Sequence, residues 1–240
     1  MKDAIRANFD VSVSAYDAYE RRTGRFSALA RLLYAEMAAL GDGTLDTLLD
    51  AGAGSGVSTR VFADETARTV ALDISREMLR GVDAAPRVQG DFDHLPFADD
   101  TFDGVAFTAS LFLAPDPTVA VAEAERVLRS GGVVGAVAPL GWLTDDGTDV
   151  FEALDRESRS PTRTDDVEAA LADEFEVSTG TWRFATTADD LRLFHEIPAM
   201  AARLYPKRSP DERVEKAAEL LDAVDGTFEQ RWRWIVGVSE

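Results

Sequence analysis

Five short apolar runs, LDTLLD (45–50), RTVALD (68–73), PRVQGD (86–91), FDGVAFTA (102–109) and GGVVGAVAP (131–139), recur along the chain with helix-forming stretches between them. Neighbouring parallel strands need a crossover connection, so strands alternating with helices predict a wound α/β sheet with helices on both faces. STRVFADE, SREMLRGV and DPTVAVAEAERVLRS supply those helices, the last ending at Gly131 and Gly132. Upstream, RFSALARLLYAEMAAL places Phe26, Leu29, Leu33, Met37 and Leu40 at helical spacing. That stripe predicts an amphipathic helix packed on the sheet or over its mouth.

After Pro139 the pattern changes. Helices are expected at about 147–158 and 164–173, followed by FEVSTGTWRF and a long helical stretch from 188 to 224 interrupted by Pro198, Pro206 and Pro210. FEQRWRWIVGV puts Trp232, Trp234, Val236 and Val238 on one face and reads as a final strand. The stretch 188–224 is then an insertion between the last two strands, either functional or a packing cap. At 240 residues and 45% hydrophobic content, one domain spanning 1–240 is expected.

The turn after the first run, TLLDAGAGSGV (47–57), carries Gly52, Gly54 and Gly56 behind Asp50. Glycines so closely spaced after a strand let the backbone approach a ligand, here a nucleotide. The spacing is G-x-G-x-G with Val57 next, not the G-x-G-x-x-G of dinucleotide folds. A carboxylate at the turn suits a ligand with an ammonium group better than a pyrophosphate, which argues against NAD. Asp73 ends the second run, where a carboxylate can accept from both ribose hydroxyls, the alternative being a solvated strand-end acid.

Charge and composition narrow the partners. The chain has no cysteine, which removes disulfides, thiolate metal sites and cysteine nucleophiles, and no metal is called for. Its net charge of −19 comes from 27 Asp and 17 Glu against 22 Arg and only 3 Lys, spread along the whole length. That predicts the solvated surface of a salt-adapted, halophilic protein and disfavours a nucleic-acid partner, which needs a basic face. Without an apolar leader or an 18-residue apolar run, neither a signal peptide nor a membrane span is indicated, and a cytoplasmic location is expected.

Five runs, in order, resemble the class I S-adenosylmethionine-dependent methyltransferases of the small-molecule branch related to ubiquinone and menaquinone biosynthesis. They are ANFDVSVSAYDAYE for the N-terminal helix, LLDAGAGSG for the cofactor loop, ALDISREML for the second strand and its helix, QGDFDHLPFADDTFDGV for the adenine loop and fourth strand, and AERVLRSGG before the fifth strand. The resemblance covers residues 1–139 well and the remainder in outline. It implies a seven-stranded Rossmann-like sheet with the last strand antiparallel, N-terminal lid helices (1–42), a cofactor-binding core (43–139) and a C-terminal part (140–240) whose insertion completes a helical cap.

The cofactor implied is S-adenosyl-L-methionine, and the partner a small-molecule acceptor. By resemblance, Gly52 and Gly54 approach the aminoacyl end, Gly56 lets the next helix pack, Asp91 accepts from the adenine amino group, and Phe92 and Ile74 sandwich the ring. Thr108 and Ala109 meet the methionine end through their backbone, and Tyr16 and Tyr19 close over the carboxylate. Asp91 as a turn cap, Phe92 and Ile74 as core, and both tyrosines as plain packing are the alternatives. His195, on the insertion, is the candidate base; His94 reads as surface. Arg231 and Arg233, flanking Trp232, are candidates for holding an anion or for a solvated strand face. An RNA or protein methyltransferase and a non-catalytic cofactor-binding module are the competing functions.

Overall fold

The computed structural model describes residues 2–41, 45–152, 154–158 and 163–239. Its centre is a seven-stranded sheet in the order β3-β2-β1-β4-β5-β7-β6. Strands β1 (Thr47–Ala51), β2 (Arg68–Asp73), β3 (Arg87–Gln89), β4 (Phe102–Thr108) and β5 (Leu128–Leu143) run parallel, and β7 (Thr227–Val238) is antiparallel to both β5 and β6 (Glu176–Thr187). The chain reverses direction across the sheet between β1 and β4. That switch point leaves a crevice at the carboxyl ends of β1, β2 and β4.

Strands β1, β2 and β4 are buried on both faces, which is why they read as nearly continuous apolar runs. Helices α4 (Val57–Glu65), α5 (Arg76–Leu79) and α6 (Pro117–Val127) make the crossovers. Asp116 caps α6 by accepting from the Thr118 N–H, with Pro117 at the first helical position. Helix α3 (Arg25–Leu40) lies on the sheet through Phe26, Leu29, Leu33 and Met37, as the stripe predicts. Met37 sits against Gly135, where a β-carbon would come within 2.5 Å of its Sδ. A glycine in the strand makes the helix seat there.

Two expectations need correction, and a third holds with its breaks at the prolines. β5 does not stop at Pro139: it continues to Leu143, with a register irregularity between Pro139 and Gly141. β4 has already ended at Thr108 opposite Val137, so the missing N–H of Pro139 breaks no ladder on that side. No helix forms in the described part of 147–158, because side chains there hold turns instead: Asp146 Oδ1 accepts from Thr148 N–H and Asp149 Oδ1 from Phe151 N–H. The stretch 188–224 is three helices, α8 (Ala188–His195), α9 (Pro198–Ala201) and α10 (Pro210–Leu221), each of the last two opened by one of the prolines. Helix α7 (Thr164–Glu174) forms where expected.

The insertion has an apolar core of its own, in which Leu191, Ala201, Tyr205 and Leu221 pack with Trp142 and Phe151. It is tied to the N-terminal helices α1 (Lys2–Asp10) and α2 (Val13–Thr23). Ala199 N–H donates to Ser12 Oγ (3.0 Å), Arg213 to Asn8 Oδ1 (2.7 Å) and Arg22 to Asp190 (2.7 Å). These helices form a cap above the carboxyl edge of the sheet. Among the described residues no helix is long and apolar enough to cross a membrane.

Candidate functional site

Beneath α1 and α2 lies a cleft with an empty volume of about 910 Å³, walled by the turns after β1, β2 and β4. Gly52 and Gly54 have φ of +83° and +55°, a region that other residues enter only with strain. Gly52 is packed closely: a β-carbon there would stand 2.4 Å from Ser110 Cβ. Gly54 faces open space, with no atom within 4 Å of such a carbon. Its N–H donates to Asp73 Oδ2 at 2.8 Å, so the glycine turn and the end of β2 are locked together.

Asp73 lines the cleft and is also held by the Ser75 N–H at 2.8 Å. Burial pushes its carboxyl up to about 6, against the two backbone donors that favour the charged form. Two accepted bonds leave further lone pairs on a carboxylate for a ligand's hydroxyls. Ile74, Phe92, Thr108 and Ala109 line the same cleft. Ala109 holds φ +57° without being glycine, and Thr108 Oγ1 is buried with no partner. Strain and an unsatisfied polar atom side by side are the marks of a ligand-facing turn.

Asp91 is in the cleft wall, but its carboxylate is engaged: Lys2 Nζ lies 2.5 Å from Asp91 Oδ2 and 2.5 Å from Asp93 Oδ2. Lys2, Ile5 and Phe9 bring α1 down as a lid, and Asp10 receives the Ser75 hydroxyl at 2.5 Å. Nothing in the motif runs pointed to Lys2. Tyr16 lines the cleft under the lid, stacked on Phe26 with ring centroids 4.9 Å apart. Burial holds its phenol above the usual range, Asp73 pushes the same way, and the nearby Arg203 pulls it down.

Three expected residues stand elsewhere. Asp50 is fully buried below the turn, where Oδ2 accepts from the hydroxyls of Ser58 and Thr59 at 2.7 Å each. It fastens the first turn of α4 and is not in the cleft wall; burial raises its carboxyl to about 7. Gly56, φ +89°, is needed for Val82, whose Cα would be 3.1 Å from a β-carbon, and it is not in the cleft wall. Tyr19 is fully buried behind the cleft against Phe26 and Phe194, with its hydroxyl turned toward Arg25 and Gln230.

A second cavity, of about 1100 Å³ empty volume, lies under the insertion. His195 lines it, with Nδ1–H donating to the Leu191 carbonyl (2.9 Å) and the ring against Phe151 and Phe194. Burial holds its imidazole down at about 4, helped by the charges of Arg203 and Arg156, so it is neutral near pH 7. The two cavities are neighbours: Tyr16 of the first lies within the electrostatic reach of Arg203 of the second, and Phe112 of the second follows the strained turn at Ala109 of the first. Arg231 and Arg233 are not free to hold an anion: they are paired with Glu229 and, at 3.3 Å, with Glu168. His94 is exposed.

Residues 49–136 match a family model described as a methyltransferase domain. The chain is similar to the demethylmenaquinone methyltransferase of Mycobacterium sp. (strain KMS), with 36% identity over 135 residues, 55% of each chain. It is also similar to the malonyl-[acyl-carrier protein] O-methyltransferase of Dechloromonas aromatica, with 40% identity over 152 residues, 60% of this chain and 53% of the other. The chain thus spans about half the length of these relatives. In structure it resembles a putative methyltransferase from Bacillus halodurans, at a TM-score of 0.59 and 20% identity over 85% of this chain and 98% of that one. The fold is the Rossmann-like methyltransferase fold.

Proposed function

We propose that the chain is an S-adenosylmethionine-dependent methyltransferase acting on a small-molecule acceptor. The observation that carries this is the cleft itself: a glycine turn with open space at Gly54, hydrogen-bonded to a buried strand-end aspartate with spare lone pairs, at the switch point of the sheet. The unpartnered Thr108 hydroxyl and the apolar pair Ile74 and Phe92 fit the two ends of a nucleoside bearing an amino-acid tail. The similarity over residues 49–136 supports the same activity.

When bound, S-adenosylmethionine supplies an electrophilic methyl group on a sulfonium. The chain's part is to hold, align and dry. Asp73 takes the ribose hydroxyls, Ile74 and Phe92 flank the base, and Gly52, Gly54, Thr108 and Ala109 receive the amino-acid end. Asp91 meets the base edge while sharing its carboxylate with Lys2, so adenine and lid compete for the same oxygens. Tyr16 and the α1 lid exclude water, which favours a step in which charge is dispersed. The neutral His195 is available as a proton acceptor on the acceptor side, held in one tautomer by Leu191.

A small acceptor is favoured over nucleic acid by the deficit of positive charge, 25 Lys and Arg against 44 Asp and Glu. That acidic surface also supports a salt-adapted protein of a salt-rich cytoplasm. Calorimetry with S-adenosylhomocysteine and with NAD tests the proposal. The first is expected to bind and the second not; tight NAD binding, or none of the first, would overturn it. Release of S-adenosylhomocysteine from S-adenosylmethionine in the presence of a metabolite extract then separates an enzyme from a binding module.

A further inference from the structure

The second cavity carries two arginines without an acidic partner. Neither Arg156 nor Arg203 forms an ion pair among the described residues, whereas Arg231 and Arg233 of β7 are paired with Glu229 and Glu168. They are close enough for each charge to be felt by the other, and both press on His195. Arg156 lies over the Phe151 ring and Arg203 over Phe112, each with the guanidinium carbon 5.2 Å from the centroid. Two like charges set together in a half-buried site repel one another unless something anionic sits between them.

The polar atoms around them are unsatisfied as well. Arg156 Nε, Trp232 Nε1 and Gln230 Oε1 are buried and have no hydrogen-bond partner, and all three residues line this cavity. Two of those atoms are N–H donors, which call for an acceptor. Asp149 is the acid in the cavity wall, and its Oδ1 is taken by the Phe151 N–H at 2.8 Å. Much of the remaining wall is aromatic, from Trp142, Phe151, Phe194 and Trp232, with Met200 and Leu204 beside them.

We propose that this cavity is the acceptor site and that the acceptor is an anion on an aromatic or apolar body, its carboxylate or phosphate held by Arg156 and Arg203. The assignment rests on the first cleft being the cofactor site, whose Leu113 directly follows Phe112 of this cavity. Planar guanidinium groups match either oxyanion through paired N–H donors, while the rings enclose the body. Sequence patterns pointed instead to Arg231 and Arg233, which tertiary contacts neutralise.

Calorimetry with 1-naphthoate, 1-naphthyl phosphate and the neutral 1-naphthamide, with and without S-adenosylhomocysteine, tests this on the intact chain. At least one anion is expected to bind ten-fold or more tighter than the amide, and which one does separates carboxylate from phosphate recognition. The double variant Arg156→Gln with Arg203→Gln should lose that preference while S-adenosylhomocysteine affinity stays within about two-fold. Its melting temperature should equal or exceed that of the parent, since a repulsion is removed. An amide that binds as well as both anions, no binding by either anion, a preference that survives the double variant, or a melting temperature that falls would each overturn the assignment. If S-adenosylhomocysteine fails to bind while the anion preference holds, the cofactor assignment falls and the anion site stands.

Discussion

The cleft at the ends of β1, β2 and β4 is built largely from backbone, whereas the second cavity is built from side chains scattered between Phe112 and Trp232. In the cleft, ligand-facing groups come from turns that follow directly on strands, and its carboxylate is fixed by the N–H groups of Gly54 and Ser75. In the second cavity Arg156 Nε, Trp232 Nε1 and Gln230 Oε1 have no such partners, and the guanidinium groups of Arg156 and Arg203 lie over the rings of Phe151 and Phe112. A site made of backbone is specified wherever the turn is specified. One made of side chains can change its ligand without changing the fold.

The sharpest way to break this comparison is by acid, because the two sites respond with opposite sign. His195 is held at about 4, below its ordinary 6.5, so its contribution to stability is present above pH 6.5 and is lost as pH falls through 4. Asp73 and Asp50 are held up at about 6 and 7 by burial, so their contributions are present below about pH 3.8 and are lost as pH rises through those values. Urea denaturation at pH 7, 5 and 4 should show His195→Gln losing less stability on acidification than the parent, by about 3 kcal/mol over the full window. Asp50→Asn should do the reverse and forgo the parent's gain between pH 7 and 4. Parallel pH profiles for all three proteins would show that the burial of these groups has been misjudged.

Cofactor affinity gives the next largest effect. Asp73→Ala removes charge-assisted bonds and should weaken S-adenosylhomocysteine by about 1.5–3 kcal/mol, one to two decades, by calorimetry. Arg203→Gln should leave it within about two-fold, and an equal loss in both variants would erase the distinction between the sites. Two alanines then test the glycines. Gly135→Ala drives a β-carbon onto Met37 and should cost about 1–3 kcal/mol of folding stability with ligand affinity unchanged. Gly54→Ala meets no atom and should cost about 1 kcal/mol for its positive φ, but should reduce cofactor binding, since the new methyl stands in the cleft.

The smallest effects are electrostatic and at the surface. The melting temperature should rise from low to molar KCl, as screening relieves a net charge of −19. Lys2→Ala opens the lid clasp on Asp91 and Asp93, a partly exposed contact worth about 1 kcal/mol or less. Its signature should be a faster cofactor dissociation rate by stopped-flow, with little change in melting temperature. A melting curve that is flat in KCl would remove the salt-adapted proposal and leave the comparison of the two sites intact.

The difference between the sites also explains what could be read from the chain. The runs that became β1 to β4, and the turn at Gly52 and Gly54, are legible because strand burial and positive φ are local demands that fix residue type. Asp50 reads in the sequence as a turn carboxylate facing an ammonium-bearing ligand, and its burial is not legible there: Ser58 and Thr59 reach back to it only once α4 is formed. The region 147–158 has helix-compatible composition, yet Asp146 and Asp149 capture nearby N–H groups and hold turns. Arginines were the least legible residues. Whether one is free depends on which strand or helix brings an acid beside it, as Glu168 is brought to Arg233 and, among the described residues, no acid is paired with Arg156.

Tyr16 lies in the wall of the first cavity and within the field of Arg203 in the wall of the second. That pair links the two sites thermodynamically: a ligand that shifts either group changes the free energy of filling the other cavity. Such coupling is reciprocal, so an anion that tightens the cofactor by some factor is itself tightened by that same factor. Where that coupling is favourable, departure of either ligand loosens the hold on its companion.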